Sequence, residues 1–173
     1  MQQSAIEKIL TRNIMKKSFL TKNSSETKKG AAKLAKKLAK KQGQKHALTL
    51  ALSGNLGSGK TTFVQGFAKG LGIKEIPKSP TFILLQVFPF ATPCVARGQH
   101  RLLKSFVHID TYRLERPKEL LHLGLKEILR DPHNIVVIEW AEKVKTLLPK
   151  DAMWIKFRHA GRNKREILIL SNV

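Results

Sequence analysis

Eight consecutive residues constrain this chain more than any others. Gly54-Asn55-Leu56-Gly57-Ser58-Gly59-Lys60-Thr61 satisfies the pattern G-x-x-x-x-G-K-[ST]. The run before it, His46 to Gly54 (HALTLALSG), reads as a strand ending in glycine. The run after it (GKTTFVQGFAKGLG) has helical periodicity and a glycine stop at Gly72. A strand that enters such a loop and a helix that leaves it are the setting in which the motif cradles phosphate. Glycines let the backbone turn so that successive N–H groups face inward. The helix adds the positive end of its dipole. Lys60 is placed for β- and γ-phosphates and the Thr61 hydroxyl for Mg²⁺.

A loop of this kind also needs an acid at a neighbouring strand end to hold or orient the cation. Glu139 closes the apolar run Ile135-Val136-Val137-Ile138, and Asp110 closes Phe106-Val107-His108-Ile109. Either acid alone could be a surface turn residue, but two buried strands ending in acids argue for a shared site. His108 alternates with Asp110 and reads as a packed or hydrogen-bonding residue rather than a ligand.

The remaining pattern is α/β. Residues 25–42 form an amphipathic helix with Ser25 or Thr27 as N-cap and Gly43 as stop; Ala31, Leu34, Ala35, Leu38 and Ala39 lie on one face and lysines mostly on the others. Residues 77–88 are a proline-bounded strand, 89–104 a long basic loop, and 105 onwards a strand ending near Asp110. A helix over 119–131, a strand into Glu139, a short helix at 141–149 and two alternating strands follow. Strands interleaved with helices predict a three-layer sandwich with a mixed, mostly parallel sheet and an antiparallel C-terminal hairpin at its edge. With 173 residues the chain has the length of one domain, expected over 19–173, with 1–18 a disordered basic extension. An organellar leader is the other reading of that extension.

Composition excludes several classes. No run approaches the roughly 18 apolar residues of a spanning helix, so no membrane association is expected. A single cysteine, Cys94, permits no internal disulfide and fits a reducing compartment, so the expected location is the cytoplasm. The formal net charge of +21 attracts polyanions. Most of the basic residues are lysine, so a lysine-biased composition with a merely solvated surface is an equal reading.

From about Phe19 onwards the sequence resembles the TsaE (YjeE-like) P-loop ATPases of tRNA threonylcarbamoyladenosine biosynthesis. Four segments in order carry the resemblance: Leu52 to Phe63 (LSGNLGSGKTTF), Ser79-Pro80-Thr81-Phe82, His108 to Leu114 (HIDTYRL) and Ile138-Glu139-Trp140. The resemblance implies a P-loop NTPase fold and an ATP·Mg²⁺ site. Thr61 and Glu139 match the cation ligands; Lys60 and the amides of Gly57, Ser58, Gly59, Thr61 and Thr62 match the triphosphate cradle. Asp110 matches the residue that hydrolysis needs beside the γ-phosphate, and Thr81 a segment that senses that phosphate. Trp140 shapes the nucleotide site, Thr27 lies near the adenine, and Arg165 is a nucleotide contact. The implied partners are TsaB and TsaD, with tRNA met indirectly or through the basic surface. The chain departs from the family pattern in its longer 89–104 segment, in Thr111, and in Ala141 where proline is frequent.

Two other functions compete. A small-molecule or nucleoside kinase on the same fold would need an arginine-bearing lid, which only Arg97 and Arg101 of the long loop could supply. A basic RNA-binding module with a vestigial loop would have no use for intact Lys60, Thr61, Asp110 and Glu139.

Overall fold

The computed structural model describes residues 14–40, 45–75, 77, 84–90 and 103–172. In chain order the strands are β1 (Ile14–Thr21), β2 (Leu48–Ser53), β3 (Leu85–Pro89), β4 (Ser105–Asp110), β5 (Asn134–Glu139), β6 (Met153–His159) and β7 (Arg165–Asn172). The helices are α1 (Ser24–Ala39), α2 (Lys60–Gly70), α3 (Glu119–His122) and α4 (Leu125–Arg130), with a 3₁₀ segment at Ala141–Leu147. One seven-stranded sheet has the order β1-β7-β6-β2-β5-β4-β3. Strands β6, β2, β5 and β4 pair in parallel, while β3 on one flank and β7 and β1 on the other pair antiparallel. The sheet is therefore mixed and mostly parallel, with five of seven strands sharing one direction.

Alternation in the central strands sends side chains to both faces, and both faces are covered. Leu48, Leu50, Leu52, Ile135, Val137 and Ile155 meet Ala31, Ala35, Leu38, Phe63 and Phe67 from α1 and α2. Ala51, Val107, Ile109, Val136 and Ile138 meet Leu120, Leu125, Leu129, Ala141 and Val144 on the opposite side. These are the three layers expected of this patterning. Phe63 packs edge-on to Phe157, with ring centroids 5.5 Å apart, and Phe67 lies 6.3 Å from Phe106. Both α2 rings are fully buried, each worth roughly 1.5–3 kcal/mol of transfer free energy. They fix the helix, and with it the loop at its start.

Several local expectations are corrected. The sheet begins at Ile14, so residues 14–18 belong to β1 and not to an extension ending before Phe19. β1 pairs along the whole of β7, which makes β1, rather than the C-terminal hairpin, the edge. Lysines at 16 and 17 obscure the strand pattern in sequence, yet charged lysines suit an edge strand because they discourage further pairing. The α1 N-cap is Asn23, not Ser25 or Thr27: its Oδ1 accepts from the Glu26 amide at 2.9 Å. The proposed stop at Gly43 lies outside the described residues. The helix read over 119–131 is two short helices, because Gly124 takes φ = 77° between them. The strand read over 77–88 is β3 from Leu85 to Pro89; residues 78–83 lie outside the described residues, as does most of the 89–104 loop. The ends of that loop meet, since the Phe90 amide donates to the Lys104 carbonyl at 3.1 Å.

Candidate functional site

The loop leaves β2 at the carboxyl edge of the parallel strands and runs directly into α2. Gly54, Gly57 and Gly59 have φ of 144°, 71° and 96°, values that L side chains rarely adopt. A Cβ at Gly54 would also lie 2.5 Å from the Phe157 carbonyl oxygen of the neighbouring strand β6. Gly59 caps α2 without a side-chain hydrogen bond, so the first amides of this 11-residue helix have no cap of their own. Donors without intrahelical partners at the positive end of a helix dipole are suited to an anion. Ser58 turns inward: its side chain is buried, its Oγ has no partner among the described residues, and its amide donates to the Asn55 carbonyl at 3.2 Å.

Lys60 is folded back on the loop. Its Nζ donates to the Gly54 carbonyl at 2.7 Å and the Asn55 carbonyl at 3.0 Å, and lies 3.7 Å from the centroid of a Trp140 ring. Burial pushes the Lys60 pKa below its ordinary value, against the opposing pull of Glu139, Glu142 and Asp110. A partly desolvated cation held by neutral carbonyls is a group that an arriving anion would stabilise.

The acids come from adjacent strand ends, where Asp110 of β4 pairs in register with Glu139 of β5. Both are 2% exposed. The Thr61 hydroxyl donates to Glu139 Oε2 at 2.9 Å, and His108 Nε2 donates to Glu139 Oε1 at 2.9 Å. His108 is thus the hydrogen-bonding residue its position suggested, and it holds the carboxylate from behind. Asp110 Oδ1 accepts from the Tyr112 amide at 2.9 Å. Trp140 takes the left-handed φ of 56°, held there by the Thr111 hydroxyl, which donates to the Glu139 and Trp140 carbonyls at 3.0 and 2.8 Å. The Tyr112 and Trp140 rings lie 5.0 Å apart.

Two clefts adjoin along the loop. One is lined by Leu56, Gly57, Gly59, Lys60, Thr61, Thr62, Asp110, Tyr112, Glu139 and Trp140. The other is lined by Asn23, Ser24, Thr27, Gly57, Gly59, Thr62, Asn163 and Arg165. Gly57, Gly59 and Thr62 belong to both. At about 360 and 370 Å³ they reach the size of small-ligand sites. The carboxylates gather in the first cleft. The second carries Thr27, whose hydroxyl bonds that of Thr21 at 2.9 Å, and Arg165, whose guanidinium donates to the Gly57 carbonyl at 3.1 Å.

Every site residue read from the sequence falls on these clefts or directly beneath the loop, except Thr81, which lies outside the described residues. Asn23, Ser24, Leu56, Tyr112 and Asn163 were missed. Leu56 and Tyr112 had a signal, the first inside the loop motif and the second two residues after Asp110 in the His108 to Leu114 segment.

The donor set fits a Mg²⁺ ion. A hydroxyl and a carboxylate oxygen 2.9 Å apart are hard ligands. No group of three or more His, Cys, Asp or Glu that could hold a metal occurs among the described residues.

Comparison with known proteins agrees with this geometry. The family model for threonylcarbamoyl adenosine biosynthesis protein TsaE matches residues 21–167. The tRNA threonylcarbamoyladenosine biosynthesis protein TsaE of Bacillus subtilis is 36% identical over 118 residues, covering 68% of this chain and 66% of its own. Its counterpart from Rickettsia felis is 32% identical over 155 residues, covering 89% of this chain and 80% of its own. Among solved structures, the crystal structure of YdiB from Bacillus subtilis matches with a TM-score of 0.66 and 30% identity, over 92% of this chain and 88% of that one. A P-loop between a parallel strand and its helix, two acids at adjacent strand ends and a match over most of the chain together place this protein in the TsaE family of threonylcarbamoyl adenosine biosynthesis proteins.

Proposed function

We propose that the chain is a Mg²⁺-dependent ATPase, the accessory subunit for threonylcarbamoylation of adenosine 37 in tRNAs reading ANN codons. Its partners in this reading are TsaB and TsaD, and its place of action is the cytoplasm. The observation that carries the proposal is the bond between the Thr61 hydroxyl and Glu139 at the start of α2, with buried Asp110 beside it. Among the described residues no helix is long and apolar enough to cross a membrane.

Each residue has a physical task in the reaction. The opening amides of α2 receive the phosphates, and Lys60 exchanges the Gly54 and Asn55 carbonyls for phosphate oxygens. Thr61 and Glu139 hold the Mg²⁺, which when bound supplies charge neutralisation at the phosphate oxygens. Asp110 orients the attacking water and accepts its proton. Trp140 and Tyr112 form an aromatic wall that limits water around these groups. Thr27 and Arg165 line the cleft assigned to the nucleoside end, and Thr81 is the phosphate sensor. Hydrolysis does not make the threonylcarbamoyl bond; it resets the assembly between turnovers.

The test is ATP hydrolysis and tRNA threonylcarbamoylation by the chain reconstituted with TsaB and TsaD. Lys60→Ala should abolish nucleotide binding by isothermal titration with ATP·Mg²⁺ and stop both reactions. Unchanged binding and hydrolysis in that variant would sink the assignment.

A further inference from the structure

Helix α1 contributes its N-terminal turn to the nucleotide cleft, yet most of its length serves no part of that site. Its buried side is Thr27, Ala31, Ala35 and Leu38. At 100° per residue, Lys29, Lys33, Lys36 and Lys40 fall within a stripe opposite that side, and Lys37 flanks it. All five are exposed. The stripe runs about 16 Å along the helix, a lysine at every turn.

A merely solvated face is expected to alternate charge, because Glu–Lys pairs at i,i+4 stabilise a helix and like pairs destabilise it. Here 29/33, 33/37 and 36/40 are like pairs, and Glu26 is the helix's one acid. Glu26 is engaged with the Lys22 amide at 2.8 Å. The ion pairs at His46, Lys104, His108 and His133 include no lysine of α1. The helix therefore bears a local electrostatic cost with no return inside the fold, which is where a functional cause is sought.

We propose that Lys29, Lys33, Lys36 and Lys40 form a phosphate-binding face on which α1 holds the backbone of tRNA. The choice of tRNA rests on the function proposed above. An anionic membrane is the weaker occupant, because an interfacial helix must insert apolar residues. The apolar residues Ala31, Ala35 and Leu38 are at most 2% exposed, and none of the large exposed hydrophobics, Leu20, Leu56, Val87, Tyr112 and Leu123, lies on α1. A rigid row of charges with no apolar partner matches a phosphate backbone, read by shape and charge rather than by base.

The test is filter binding of the full chain to a tRNA transcript across a salt series. Four phosphate contacts add about three to four units to the slope of log K against log salt. The variant Lys29→Gln/Lys33→Gln/Lys36→Gln/Lys40→Gln should lose that increment, while keeping its ATP hydrolysis and its circular dichroism. The variant Lys16→Gln/Lys118→Gln/Lys126→Gln/Lys145→Gln removes equal charge from other exposed positions and should keep the parent slope. Equal flattening in both variants would assign binding to the overall charge and overturn the proposal, as would an unchanged slope in the first. Binding to phosphatidylserine vesicles as tight as to tRNA, lost with the same four lysines, would also overturn it. If the parent protein fails to hydrolyse ATP but the slopes separate as stated, the functional reading falls and the lysine face stands.

Discussion

Asp110 and Glu139 sit side by side on neighbouring strands and are equally buried, yet their surroundings give them different work. Glu139 is bound on both oxygens, by Thr61 at the head of α2 and by His108 behind it. It is a fixed ligand aimed at one place. Asp110 shapes its own turn through the Tyr112 amide and faces the same cleft. Replacing Glu139 by Gln should weaken the cation site, since a neutral amide is a poorer ligand for a hard ion. The Mg²⁺ needed for half-maximal hydrolysis should rise, and Mn²⁺ titration followed by electron paramagnetic resonance should show the same loss without turnover. Asp110→Asn should leave ATP affinity close to the parent and lower kcat by about 100-fold or more, as loss of a general base does. Parent-like metal dependence and turnover in both variants would remove the pair from the chemistry. The types and spacing of these residues were legible in the sequence, because a P-loop and strand-end acids are local patterns. The folded-back Lys60, the left-handed Trp140 and the contributions of Asn23 and Asn163 were not, since each depends on a neighbour distant in sequence.

Among the elements, α1 and α2 are joined by a seam that admits no side chain at Gly66 or Gly70. Gly66 and Gly70 stand one turn apart on α2. A Cβ at Gly70 would lie 2.6 Å from the Ala32 Cα, and one at Gly66 would overlap the backbone of Lys28. Neither neighbour can move without shifting its helix. Gly66→Ala should therefore destabilise the fold by about 1–3 kcal/mol, although alanine is the better helix former in isolation. Urea unfolding measures it, and a neutral or stabilising result would mean that the helices are not so closely held. Because α1 also supplies Asn23, Ser24 and Thr27 to the cleft, the same variant should weaken nucleotide binding. Hydrophobic periodicity made both helices readable but concealed this seam, since a single sequence does not tell a glycine that breaks a helix from one that lets two helices meet. Gly124 is the opposite case: it divides α3 from α4 where the leucine spacing reads as continuous. β1 was half-hidden for another reason, as its paired lysines resemble a tail until β7 is seen alongside.

For the molecule as a whole the charge is the dominant long-range force. A formal net charge of +21 on 173 residues leaves a large excess of like charge, and three of the ion pairs that oppose it, at His46, His108 and His133, depend on a histidine. Folding draws the lysines of α1 and the basic ends of other elements closer than they lie in the extended chain, so the compact state carries more self-repulsion. Salt screens that repulsion, with a Debye length falling from about 10 Å at 0.1 M to 3 Å at 1 M. Thermal stability should accordingly rise between 50 and 500 mM sodium chloride, by about 2–4 °C for each kcal/mol of repulsion relieved. Anion binding at the head of α2 would stabilise the protein too, through linkage. The two effects separate in Lys60→Ala, which weakens the loop's hold on anions but removes only one charge, and a buried one. Screening predicts the same salt-dependent rise in melting temperature in parent and variant, whereas loop occupancy predicts that the variant loses most of it. A melting temperature that falls with salt in both proteins would mean that attractive pairs outweigh the excess of like charge.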